Sequence, residues 1–205
     1  MMRKNEKDNP FLTKAGLYTI VSQKAINLGF DLCAANYRID ALGLAYKVCI
    51  DLTIEMLNFK EATICGILYK GADSTYIALN NRRSATGKNF DCMHELIHYM
   101  FHHRNHYICN SNVEDHLEWQ ANEGAAQFLV PYQSFIPNYC QLYERYNKQM
   151  TADKAYKSLI SHLSRHYMVG EMVITYRLNQ LKSEIVQYLD GIDINRIQII
   201  STTRR

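Results

Sequence analysis

The run His94-Glu95-Leu96-Ile97-His98 constrains this chain more than any other five residues. On a helix, positions four apart share a face and lie about 6 Å apart along the axis, so both imidazoles reach one metal ion. Glu95 follows the first histidine by about 100° of rotation, where its carboxylate can take a proton from an activated water. The run from Phe90 to Phe101 contains neither Gly nor Pro, and Phe90, Met93, Leu96, Ile97, Met100 and Phe101 recur at helical spacing. The spacing predicts a helix packed on a core, carrying a zinc site and hydrolysis by a metal-activated water.

A hydrolytic zinc usually takes three protein ligands, so a third is sought downstream. The segment from Glu114 to Pro131 is patterned as a helix, opened by the capping-box residues Ser111 and Glu114 and closed by Pro131. On it Glu118, Ala121, Asn122 and Ala125 share one face, and the two alanines allow close approach to another helix. Glu118 is the preferred third ligand; Glu114 and Asp115, one turn earlier, compete for the role. Asn122 is placed to hydrogen-bond a ligand imidazole and orient it. His102 extends the ladder of His94 and His98, but an unbroken helix carries it about 12 Å along the axis from His94, too far to share the metal. His102 and His103 are therefore read as surface or loop-packing residues.

These residues together resemble the ImmA/IrrE family of metallo-endopeptidases. The likeness rests on the HELIH helix with Tyr99 and His102 behind it, on Tyr76 to Asn81, and on Glu118-Trp119-Gln120-Ala121-Asn122 running into Phe128-Leu129-Val130-Pro131. It covers roughly residues 39–181. The resemblance implies a small zincin-like fold in which His94, His98 and Glu118 bind one zinc ion and Glu95 is the catalytic base. It also implies a protein substrate, a helix-turn-helix repressor of a mobile element or stress response. Two positions depart from the family pattern: Ile97 stands where many members have Gly, and Gly124 stands where an aromatic residue is common.

Composition sets outer limits. With 205 residues, 47% of them hydrophobic, the chain can bury a core, and it has no apolar run long enough for a membrane span. Its charged start lacks the apolar run of a secretory signal, so a cytoplasmic location is expected. Six cysteines without a CxxC pair read as reduced, mostly buried thiols.

The expected fold is α+β and mainly helical: a zincin-like metallopeptidase core with a small antiparallel sheet, and a C-terminal helical subdomain. The division expected is an N-terminal helical extension over 1–37, the core over 38–136 and the C-terminal subdomain over 137–205. Helices are expected at 14–28 and 38–46. Residues 62–69 and 75–79 read as a hairpin around the turn residues 70–74, its second strand a candidate edge for an extended peptide. Downstream, 152–165 and 169–189 read as helices, with a helix-turn-helix-like junction near His166 to Gly170. Arg177 and Lys182 are candidate partner contacts there. DNA binding is the less favoured role, since a net charge of +3 is modest. The competing class is a zinc-containing regulator that sequesters a repressor, or binds DNA, without cutting.

Overall fold

The computed structural model describes residues 12–61, 63–102 and 116–200, and the backbone of 106–110. Its contacts divide the chain into two compact units, one formed by Asp40–Ala125 and one by Lys14–Ile39 together with the chain from Ala126 onward. Helix α1 (Lys14–Asn27) thus groups with the C-terminal helices.

The first unit contains α2 (Ala41–Val48), β1 (Leu52–Leu57), β2 (Ile64–Lys70), β3 (Thr75–Asn80), α3 (Ala85–Phe101), β4 (His106–Asn110) and the first part of α4 (His116–Leu129). The expected hairpin is present: β2 and β3 pair antiparallel from Gly66 opposite Leu79 to Lys70 opposite Thr75. Two further strands join them in the order β1-β3-β2-β4. Strand β1 runs parallel to β3 and β4 antiparallel to β2, so the sheet is mixed, with the antiparallel part around β2. This corrects the reading of β3 as a free edge for an incoming peptide. It is flanked on both sides, and Ile77, Ala78 and Leu79 are all fully buried, as expected of an interior strand.

Helix α3 packs on β2 and β3. Its buried stripe includes Met93, Leu96 and Ile97, facing a sheet whose own core residues include Leu68, Ile77 and Leu79. Its start is capped by Ser84, whose hydroxyl accepts from Gly87 N–H at 3.1 Å. Two turns in, Asp91 accepts two hydrogen bonds from the Arg83 guanidinium, at 2.9 and 3.1 Å. The capping-box residues ahead of α4 lie outside the described residues.

The second unit is helical: α1, then α5 (Tyr132–Asn147), α6 (Ala152–Tyr167), α7 (Glu171–Gln180) and α8 (Lys182–Leu189). Helix α6 buries Leu159, Ile160 and Leu163, and packs on α5 and α7. Met168, in the left-handed region at φ 55°, turns the chain into α7. The single helix expected over 169–189 is two, broken at Leu181 with φ −102° and ψ 15°; Leu181 and Ile185 are both buried.

Arg177 also corrects an expectation, for it is fully buried rather than offered to a partner. Its Nε donates to Val130 O at 2.9 Å, its other nitrogens donate to Tyr18 Oη and Gln127 Oε1, and its guanidinium lies over the Tyr18 ring at 4.8 Å. It ties α1 to α7 and to the junction of α4 and α5. Lys182 is exposed. The described cysteines 33, 49, 65, 92 and 140 form no disulfide with one another, and only Cys92 is buried, against the expectation of mostly buried thiols; no described helix is long and apolar enough to cross a membrane.

Candidate metal centre

Every residue of the centre comes from the Asp40–Ala125 unit. Helix α3 supplies His94 and His98 one turn apart, both about 1% exposed, and α4 brings Glu118 against them. His94 Nε2 and His98 Nε2 are 3.0 Å apart, His94 Nε2 is 3.2 Å from Glu118 Oε2, and His98 Nε2 is 3.2 Å from Glu118 Oε1. Two donors on one tetrahedral zinc, at bond lengths of 2.0–2.2 Å, are about 3.3 Å apart, so the three separations suit a single ion. Among the described residues this is the only such group of three ligating side chains. The competing ligands Glu114 and Asp115 lie outside the described residues.

Asn122 sits where the helical spacing from Glu118 places it. Its Oδ1 is 3.0 Å from His94 Nδ1 and accepts that N–H, leaving the Nε2 lone pair of His94 for the centre. With the Glu118 carboxylate beside it, acceptor faces acceptor, and such a gathering is stable only with a cation or proton between the groups.

The electrostatics follow from that crowding. Burial alone would raise the Glu118 pKa, but its close contacts with the His94 and His98 rings outweigh it and hold the carboxyl at about 2. At His98 burial prevails and the imidazole falls to about 4. At His94 burial also opposes charge, but the hydrogen bond to Glu118 and the nearby Glu95 raise its pKa. Glu95 is fully buried beside them, and desolvation pushes it up to about 8 against the pull of His94. Both of its carboxylate oxygens are buried, with no hydrogen-bond partner among the described residues. Three convergent ligand atoms beside a buried carboxylate that has no hydrogen-bond partner among the described residues are a donor set that fits a bound zinc ion.

Three contributors went unrecognised in the sequence. Gly66 of β2 gives Glu95 its room: a Cβ there would stand 2.5 Å from Glu95 Oε1. The register of β2 against β4 shifts between Ile64 and Gly66, at this same place. His102, read as a surface or loop-packing residue, is 3% exposed, and its Nδ1 is 2.8 Å from His98 Nδ1. Its Nε2 is 3.2 Å from Oε1 of the buried Gln120. The correction is geometric. Helix α3 ends at Phe101, His102 is its C-cap at φ −113° and ψ 150°, and the ring meets the back of His98 instead of the metal. The i+4 spacing from His98 is the signal the sequence offers, and it places His102 behind a ligand rather than among the ligands.

Glycine at 124 faces Ile97: a Cβ at 124 would lie 3.0 Å from Ile97 Cγ2. Positions 97 and 124 therefore meet in space, the bulk of Ile97 filling the room that Gly124 leaves.

None of the curated proteins compared with the chain matches it. The IrrE N-terminal-like domain, Peptidase_M78, does match, over residues 49–179, a span that takes in both histidines, Glu95, Glu118 and the two strands behind them. On that match over more than half its length, the chain belongs to the Peptidase_M78 (ImmA/IrrE) family of metallopeptidase type.

Proposed function

We propose that the chain is a zinc-dependent endopeptidase that cuts a protein substrate, a helix-turn-helix transcriptional repressor, inside the cell. The observation that carries the reading is the buried Glu95 carboxylate, without a hydrogen-bond partner among the described residues, beside the convergent nitrogens and oxygens of His94, His98 and Glu118. A purely structural metal site has no use for a base at that position.

His94, His98 and Glu118 would hold the ion, with Asn122 fixing the His94 ring. Zinc bound there would supply a Lewis acid that makes water a competent nucleophile at neutral pH. Glu95 accepts the proton of the water as its oxygen adds to the scissile carbonyl carbon. It then gives that proton to the amide nitrogen as the C–N bond breaks, leaving a carboxylate and an amine. Gly66 keeps the Glu95 carboxylate at the centre, and the burial of its surroundings keeps bulk water away from the proton in transit. The substrate enters extended, pairing with edge strand β4, whose neighbour β2 carries Gly66.

The test is to incubate zinc-loaded protein with the intact repressor and its operator DNA, following both the repressor mass and its release. Two fragments joined at one mapped bond are expected. Release of an uncut repressor would instead make the chain a sequestering regulator.

A further inference from the structure

The two Nδ1 atoms of His98 and His102, 2.8 Å apart, pose a question of proton ownership. Between two neutral imidazoles only one of those atoms can carry the hydrogen. The far end of His102 decides which. Its Nε2 faces the side-chain oxygen of Gln120 at 3.2 Å, an acceptor, so Nε2 holds the His102 hydrogen and Nδ1 presents a lone pair. His98 must then donate from Nδ1. Its own lone pair falls on Nε2, the atom that lies 3.2 Å from Glu118 Oε1.

We propose that His102 and Gln120 are positioning residues that lock His98 in the one tautomer able to bind the ion. The proposal rests on the zinc reading above. The two histidine ligands are held by different means: His94 by a single amide oxygen, from Asn122, and His98 by a relay of an imidazole and an amide. Helix α4 supplies the end of both supports, with Gln120 and Asn122 placed on either side of Ala121. It therefore orients each ligand imidazole besides providing Glu118. Reversing the Gln120 amide would reverse the relay, putting an N–H on His98 Nε2, where it would block coordination. His102 and Gln120 are 3% and 2% exposed, so solvent does not compete for these bonds.

The experiment uses the full chain and two readouts other than turnover: nitrogen-15 NMR of the histidine rings in zinc-free protein at neutral pH, and zinc affinity by competition with a chelator. His98 is expected as the Nδ1–H tautomer and His102 as Nε2–H. His102→Leu should weaken zinc at least about tenfold, the usual scale for losing a support to a ligand imidazole. His102→Gln, which can still offer an amide oxygen to His98, should recover most of that loss, and Gln120→Leu should fall between wild type and His102→Leu.

An Nε2–H tautomer at His98 in the wild type would overturn the proposal, whether or not any variant folds. So would equal losses in His102→Leu and His102→Gln, which would mark His102 as a packing residue, and so would unchanged zinc affinity in His102→Leu. Failure of the underlying zinc reading looks different: wild type would bind no zinc, or would bind it as well after His94→Ala.

Discussion

At the scale of single residues, the chemistry depends on how little surrounds Glu95. Its carboxylate has no hydrogen-bonded tether among the described residues, and the space opposite Gly66 is what accommodates it. Gly66→Ala should push the flexible end of Glu95 aside without unfolding the sheet. Zinc affinity should stay within about threefold while cleavage falls about tenfold to a hundredfold, the scale of a misplaced catalytic group. Parallel chelator competition and cleavage assays check this, and an unchanged cleavage rate would show that Glu95 is held by something other than the strand. Removing a ligand should act oppositely: His94→Ala, His98→Ala or Glu118→Ala should each sharply lower zinc occupancy, as elemental analysis would read it. Full zinc in Glu118→Ala would move the third ligand to Glu114 or Asp115. His94, Glu95 and His98 were legible because helical spacing alone puts them on adjoining faces, and Glu118 and Asn122 because they share one face of the next helix. His102 was not, because periodicity cannot say where a helix stops. Gly66 was not, because nothing in a strand pattern tells which carboxylate will press against it.

At the scale of elements, the approach of α4 to α3 is set by small residues on α4 and by one β-branched residue on α3. A methyl group at position 124 would sit 3.0 Å from Ile97 Cγ2 and 3.3 Å from its Cγ1 and Cδ1. Gly124→Ala gains about 1 kcal/mol of helix propensity but overpacks that contact by about 1–3 kcal/mol, so it should be neutral to destabilising. In an Ile97→Ala background the same change should become stabilising. Denaturant titrations of the four proteins in the cycle give the coupling, and equal effects of Gly124→Ala in both backgrounds would refute it. The hairpin and the helices were readable from periodicity and turn residues. Strand β1 was legible but went unread: Leu52-Thr53-Ile54-Glu55-Met56 alternates apolar and polar side chains, although four of the six residues are exposed. Strand β4 shows no alternation, its central residues Tyr107-Ile108-Cys109 being apolar in succession. The break at Leu181 escaped notice because no Gly or Pro marks it.

At the scale of the whole molecule, chemistry and support fall to different parts of the chain. All the proposed ligands lie within Asp40–Ala125, whereas Arg177 and its partners Tyr18, Gln127 and Val130 lie in the other unit. Arg177→Met should leave the buried Val130 oxygen without the guanidinium and Gln127 Oε1 with only the 3.4 Å contact from Tyr132 N–H, costing at least about 2 kcal/mol. Thermal unfolding measures that loss, and the zinc stoichiometry of the folded variant should not change. An unaltered melting temperature would show that the guanidinium contributes nothing net. The account as a whole turns on Glu95 as the group that moves the proton. The most direct measurement is the cleavage rate of zinc-loaded Glu95→Gln, which keeps the shape of the side chain and removes its basicity. With one zinc per chain retained, the rate should fall at least about a hundredfold; cleavage at the wild-type rate would contradict the mechanism.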